Sequence, residues 1–377
     1  MKKTSLGKIG LVLLTTLSLV AFSYLPLQAD EPGAETDASD MAEVETEEKQ
    51  QRWAAFPILA SSTETGFMYG GMLFHFLPVD EPGQQASTID LMAFATTEDQ
   101  YQVILTPNLF FDNNRYRLNF SLNYSSWEAN YYGIGNDSSD EKEEYQSDSI
   151  GASFTIERKF YDQFVAGLIG TYASEEMTTE AGGMLQRDNI AGSSDFEYAG
   201  LGIRAGYDTR DNTNAPNSGA LATFESMWFD ENLGSDFDFD MQSLDLRYFV
   251  PVREDQVLAF SIQMKESHGD VPFRLLPSPD GTMLLRGIEN GRYRDRTLLG
   301  LQSGYRFPVW KRFSGALFAE AAQVANDVSD IEFSSFKTSI GLGIRYALNP
   351  EQRFNIRADI AWVDGGFGAV INVREAF

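Results

Sequence analysis

The sequence predicts an all-β chain folded as a transmembrane antiparallel β-barrel of sixteen strands. Three observations carry this. From Trp53 to Phe377 the chain repeats segments of about ten residues in which apolar and polar positions alternate, as they do in strands that face lipid and lumen in turn. Beyond the first 29 residues no uncharged apolar run nears the ~20 residues that a membrane helix needs. Aromatic residues reach 13% and glycines number 32, a composition suited to aromatic girdles and tight turns.

Residues 1–29 read as a signal peptide. Lys2, Lys3 and Lys8 precede an apolar core from Ile9 to Phe22, and Leu27-Gln28-Ala29 suits cleavage. The apolar stretch is short for a membrane helix. Residues 30–52 are acidic and nearly free of large apolar side chains, so they read as a disordered periplasmic tail. The absence of cysteine removes disulfides as staples. Residues 53–377 form the barrel.

The expected strands are 53–60, 66–77, 87–97, 100–110, 114–124, 145–157, 164–173, 196–208, 219–229, 236–250, 255–266, 297–308, 313–323, 335–347, 352–363 and 367–377. Fourteen strands is the alternative count, because the first has the faintest pattern. Alternation is clean where Phe354, Ile356, Ala358, Ile360 and Trp362 oppose Asn355, Arg357, Asp359 and Ala361. A β-sandwich also alternates, but over short strands with the apolar face inward. An even count leaves both ends in the periplasm. The short turns at 111–114, 251–254 and 349–351 then fall on the periplasmic side, and the long connections 125–144, 174–195 and 267–296 fall outside. Ile371, Val373 and Phe377 fit the apolar register of a C-terminal insertion signal, which Glu375 interrupts.

A formal charge of −26 excludes nucleic acid as a partner. Enzyme chemistry has little to work with. His75 and His268 are the only histidines and stand far apart, and no Gly-x-Ser-x-Gly elbow occurs. No catalytic group, metal site or cofactor is expected, and His75 reads as a lumen or girdle residue. Lumen-facing Arg115, Arg117, Arg204, Lys265, Lys337, Arg345, Arg357 and Arg374 stand against Asp208, Glu225, Glu320 and Asp359. Such mixed charge suits either a hydrated channel or packing around an inserted loop.

Five motifs then coincide: Phe56-Pro57-Ile58-Leu59 with Thr65-Gly66-Phe67; Tyr132-Gly133-Ile134-Gly135-Asn136-Asp137; Gly206-Tyr207-Asp208-Thr209-Arg210-Asp211-Asn212; Leu285-Arg286-Gly287; and Gln302 with Tyr305-Arg306-Phe307-Pro308. Each alone is unspecific. In this order they resemble the bacterial surface antigen family, the C-terminal barrel of the BamA/TamA outer-membrane assembly superfamily. The likeness spans nearly all of 53–377.

The resemblance implies a sixteen-stranded barrel in the bacterial outer membrane whose sixth external loop folds into the lumen. There Arg286 and Gly287 at the loop tip would meet Gln302, Arg306, Phe318 and Glu320 of strands twelve and thirteen. It also implies a lateral seam between the first and last strands, here Pro57, Leu59, Gly366, Gly368, Val370 and Phe377. Implied partners are outer-membrane lipid and lipopolysaccharide, with unfolded outer-membrane proteins or a separate periplasmic partner as clients or helpers. Two departures stand out. Gly304 replaces the family's strand-twelve Glu, and Glu320 and Ala322 replace its strand-thirteen Asp and Gly, so the lock is expected to be weaker or rearranged. Only the acidic tail precedes the barrel here, where client-handling relatives carry POTRA domains. An assembly role would then need a partner or direct contact with the barrel. A passive polar pore, or a scaffold displaying loops, is the other reading of the same residues.

Overall fold

A computed structural model describes residues 52–62, 65–78, 86–138, 140–161, 163–350 and 353–377. The expected signal peptide and almost all of the acidic tail lie outside the described residues. The strands are β1 (Trp53–Ser62), β2 (Gly66–Phe76), β3 (Thr88–Thr96), β4 (Tyr101–Phe111), β5 (Tyr116–Tyr131), β6 (Glu143–Phe160), β7 (Phe164–Thr179) and β8 (Phe196–Asp208). They continue as β9 (Gly219–Phe229), β10 (Phe239–Arg253), β11 (Gln256–Gly269), β12 (Thr297–Trp310), β13 (Phe313–Ala325), β14 (Lys337–Asn349), β15 (Phe354–Val363) and β16 (Gly366–Val373). One short helix, α1 (Met184–Arg187), sits in the β7–β8 connection.

All sixteen strands join one sheet in chain order, each antiparallel to the next. Cα atoms of β1 and β16 come within 8 Å of each other, so the curled sheet brings its two edges together. Among the described residues no backbone ladder joins those edges.

Period-two alternation sets the two faces. Ile340, Leu342 and Ile344 of β14 and Ile356, Ile360 and Trp362 of β15 point outward and are exposed. Arg345, Arg357 and Asp359 of the same strands point inward and are buried. In the β4–β5 turn Asp112, Asn113 and Asn114 all have positive φ, a conformation that Asn and Asp tolerate through local hydrogen bonding.

Three strands exceed the length that their alternation predicts by five residues or more. β5, β6 and β7 have 16, 18 and 16 residues, against about nine to eleven needed to cross the membrane. The surplus rises on the external side, where Ser125, Glu128 and Asn130 continue the ladder although they no longer alternate as a lipid-facing strand would. These extensions carry a cap with its own apolar core. Tyr131, Tyr145, Leu185, Phe229, Phe239 and Phe273 are buried together there, with α1 against them.

The last strand is shorter than predicted. β16 ends at Val373, and Arg374 takes a positive φ of 62°. The chain therefore leaves the wall, and Glu375, Ala376 and Phe377 are buried. Phe377 packs with Phe249, Val257, Ala259 and Ala376 instead of facing lipid. Glu375 is the cause. A carboxylate has no place on the lipid face, and inside it pairs with Arg345 at 3.1 Å.

Candidate functional site

Residues 270–296 form the sixth external loop, which descends into the barrel in three anchored steps. At the mouth, Phe273 sits edge-on to Tyr131 and Tyr145, with ring centroids 5.2 and 5.1 Å away. Beside it Arg274 donates to Glu175 and Ser147. Next, Asp280 organises a tight turn. Its side chain accepts from the Thr282 amide at 2.6 Å and its carbonyl from the Leu284 amide at 2.9 Å. Leu284 and Leu285 then bury themselves against Leu298, Ala322, Val324 and Val363.

The third step is the tip. Arg286 donates from Nε to Glu320 Oε1 at 2.7 Å and from its amide to Glu320 Oε2 at 2.7 Å. Its Nη1 reaches Asp359 Oδ2 at 2.9 Å. The guanidinium carbon stands 3.3 Å from the centroid of the Phe318 ring, a cation–π contact. Gln302 Nε2 donates to Glu320 Oε1 at 2.9 Å and to the Met283 carbonyl at 2.6 Å, holding carboxylate and loop together. Ser339 Oγ donates to the Arg286 carbonyl at 2.8 Å.

Asp359 is the hub. It also accepts Arg345 Nη1 at 2.5 Å and Arg357 Nη1 at 2.6 Å. Arg357 Nη2 in turn donates to the Thr282 carbonyl of the loop at 2.6 Å. Arg286, Arg345 and Arg357 thus face Glu320, Asp359 and Glu375, three charges of each sign, all buried. Such a network holds only while complete. Removing one member leaves an uncompensated buried charge at a cost of about 3–5 kcal/mol.

Gly287 has φ of +92°, a backbone conformation that favours glycine. It also touches the seam strand. A Cβ on Gly368 of β16 would lie 2.3 Å from both the Cα and the carbonyl oxygen of Gly287. Above this contact Tyr293 donates to Asp364 in the β15–β16 turn at 2.7 Å. Burial, and then that hydrogen bond, hold the Tyr293 phenol above its ordinary range, so it stays a donor. Loop six therefore grips the last hairpin as well as β12 and β13.

At the periplasmic end the C-terminal hook is fastened separately. The Glu375 amide donates to the Asn214 carbonyl of the β8–β9 turn at 3.3 Å. Asn355 Nδ2 donates to Glu375 Oε1 at 3.3 Å. Phe377 fills the space beside Gly304, where a Cβ would stand 3.2 Å from its ring.

Arg286, Gly287, Gln302, Phe318 and Glu320 stand together as the tip, its cradle and its clamp. Arg306 does not join them. It lies four residues further along β12, about 14 Å at ~3.4 Å per residue. There it donates to the Pro216 carbonyl and faces the Phe249 ring at 5.9 Å, which places it with the hook. Of the seam residues, Pro57 pairs with Gly71 and Leu59 with Tyr69 in the β1–β2 ladder. Gly366, Gly368 and Val370 share the lumen face of β16 with Val363, Ala361 and Asp359 opposite them. Phe377 leaves the seam altogether. Alternation along β15 already put Asp359 on the lumen face, but nothing in it told that Asp359 joins Glu320 in holding Arg286. His75 stacks on Trp53 at 4.1 Å and His268 approaches Asp240 at 3.3 Å, so the two histidines serve different neighbourhoods.

The sequence model of the Omp85 superfamily domain matches residues 89–365. No curated protein matches the sequence. Among solved structures, BamA from Haemophilus ducreyi lacking POTRA domains 1–3 is similar with a TM-score of 0.61 at 14% identity. That match covers 85% of this chain and 68% of the other. CdiB from Acinetobacter baumannii gives a TM-score of 0.58 at 12% identity, over 86% of this chain and 60% of the other. CdiB from Escherichia coli gives 0.58 at 10% identity, over 85% and 62%. At these identities the likeness is one of fold. With nearly three quarters of its length inside the family match, the chain belongs to the Omp85 superfamily, as an outer-membrane barrel.

Proposed function

We propose that this barrel assists insertion or translocation of proteins, or of lipids, at the outer membrane, working at the β1–β16 seam and without hydrolytic chemistry. The observation that carries the reading is the backbone contact between Gly287 at the loop-six tip and Gly368 in the seam strand. The same atoms fix the loop and one edge of the seam, so a change at either is felt at the other. A strand edge offers N–H and C=O groups that can template an added strand. The partners implied are outer-membrane lipid and lipopolysaccharide around the barrel, and unfolded outer-membrane proteins or a separate periplasmic protein at the seam.

The test is photocrosslinking in cells from probes at Pro57, Leu59, Phe367 and Ile371. Capture of unfolded outer-membrane proteins or one dedicated partner supports the reading. Products joining only β1 to β16 would refute it. A passive pore is the second reading, favoured by ion pairs on the opposite wall, where Arg204 meets Glu157 at 2.9 Å and also Glu225. Steady conductance by the unmodified chain in planar bilayers would favour that reading.

A further inference from the structure

The lumen face of the first strands departs from the rule of a polar barrel interior. Met72 of β2 stands opposite Met92 of β3, and Met92 opposite Ile104 of β4. Phe94 of β3 and Phe74 and Met68 of β2 extend the same face. These six side chains are half-buried, and none belongs to a buried apolar cluster of the described residues. Phe94 meets the Trp127 ring of β5 edge-on, with centroids 6.3 Å apart, and polar pairs border the rest of the patch. One strand further on, Gln102 donates to Asn123 at 2.8 Å. Toward the periplasm, Asn108 donates to Asp90 at 3.0 Å and accepts from Asn119 at 2.6 Å. The loop-six network lies against β12 to β15, across the barrel's closing side.

The outer face of the same strands is apolar as well. Ala55, Pro57, Gly71, Leu73, Leu91 and Ala93 line a shallow groove there, which Met72 also borders. β2 and β3 thus carry apolar side chains on both faces here, and β1 is the edge strand beside them. Only the width of β1 separates the lipid-facing surface from the inner patch.

We infer that the inner face of β2 to β4 is a lipid site, occupied by a phospholipid acyl chain that enters from the bilayer around the β1 edge. Three features select an acyl chain. The patch begins one strand in from the sheet edge, with the lipid-facing groove on the other face of the same strands. The backbones of β2, β3 and β4 are already paired with their neighbours, so a peptide strand lying on them finds no ladder to join. Three methionines give a flexible, polarizable surface that adapts to a disordered chain rather than to one fixed shape. The inference stands apart from any client and holds whether or not the seam passes proteins.

The chain has no cysteine, so single spin labels can be placed without background. Met72→Cys and Met92→Cys report the inner patch, Leu73→Cys and Leu91→Cys the lipid face, and Asn123→Cys the polar lumen wall. The full chain is reconstituted without clients in vesicles of phosphatidylethanolamine and phosphatidylglycerol. Power saturation then compares collision with oxygen, which partitions into lipid, and with a water-soluble nickel chelate. Labels at 72 and 92 should favour oxygen, as those at 73 and 91 do, while the label at 123 favours nickel. Nickel preference at 72 and 92 would mean water and would overturn the inference. So would shielding from both reagents, which would mean a covering protein segment, or oxygen preference that arises only after an unfolded outer-membrane protein is added. The lipid-face pair reports folding in every sample, and Phe94→Cys repeats the reading should an inner methionine prove indispensable to folding.

Discussion

Gly366 and Gly368 sit two residues apart on the same face of β16, yet alanine should be felt very differently at each. At Gly366 a Cβ meets nothing closer than the Val363 carbonyl oxygen at 3.9 Å. At Gly368 it would stand 2.3 Å from Gly287 Cα and O and 2.7 Å from its carbonyl carbon. All three are backbone atoms, so no side chain can swing aside. If strand and tip both stay in place, the strain is that of an overpacked core, about 1–3 kcal/mol. If the tip retreats, Arg286 leaves Glu320 and Asp359, and the cost approaches the ~3–5 kcal/mol of a broken buried ion network. The assay is the heat-dependent gel shift of the reconstituted barrel, together with trypsin cleavage at the loop-six arginines. Gly368→Ala should unfold at lower temperature and expose Arg286 to cleavage, while Gly366→Ala behaves as the parent chain. Equal behaviour of the two variants would refute the argued contact between tip and strand.

Two further predictions follow from the periplasmic end. Phe377→Ala should destabilise the folded barrel by about 3–5 kcal/mol, the range for emptying a buried aromatic site, and Phe377→Leu by clearly less. The same heat-dependent gel shift measures it, and an unchanged transition for Phe377→Ala would place the ring on the lipid face. Asp211 in the β8–β9 turn is partly buried, which alone would raise its pKa. The hydrogen bond from Arg353 at 2.6 Å and the Ser218 and Asn217 amides outweigh this and hold its carboxyl below the usual carboxylate range. The folded-state pKa is depressed, so this tie is fully present above the unfolded value of 3.8 and is lost as pH falls through the folded one. Asp211→Asn should therefore lower stability near neutral pH and lessen the further loss on acidification. An acid limb identical to that of the parent chain would contradict this.

The barrel was legible because period-two alternation is a local property, and a lipid-facing surface tolerates few exceptions. Even the faint first strand takes its place in the ladder from Trp53 to Ser62. The strand extensions of β5 to β7 were not legible, because in water a strand can keep its ladder with polar residues on either face. At the lock, alternation placed Glu320 and Asp359 on the lumen face. Choosing between them needed the depth to which the loop descends, which no spacing encodes. Arg306 shows the same limit, since facing the lumen says nothing about height along it. Phe377 misled for a different reason. Its residue type and terminal position fit a lipid-facing strand, and only the positive φ at Arg374 and the pairing of Glu375 with Arg345 turn it inward.

The hook and the lock share more than the lumen. From the loop-six tip the path runs Arg286 to Asp359, Asp359 to Arg345, and Arg345 to Glu375, in ion pairs of 2.9, 2.5 and 3.1 Å. Each end has its own further support, Glu320 at the tip and Asn355 at the hook. Were the ends independent, Arg286→Ala and Glu375→Gln would add within about 0.3–0.5 kcal/mol. The shared carboxylate predicts otherwise. Without Arg286, Asp359 has one cation fewer to satisfy and its charge is left more fully to Arg345 and Arg357, so loss of Glu375 should then cost less than it does in the parent chain. A double-mutant cycle in urea, read by the gel shift, should give a coupling between about 0.5 and 3 kcal/mol, the double variant being less destabilised than the sum. Additivity would mean that Arg345 holds the hook without reference to the loop, and that a disturbance at the C-terminus stops at Asp359.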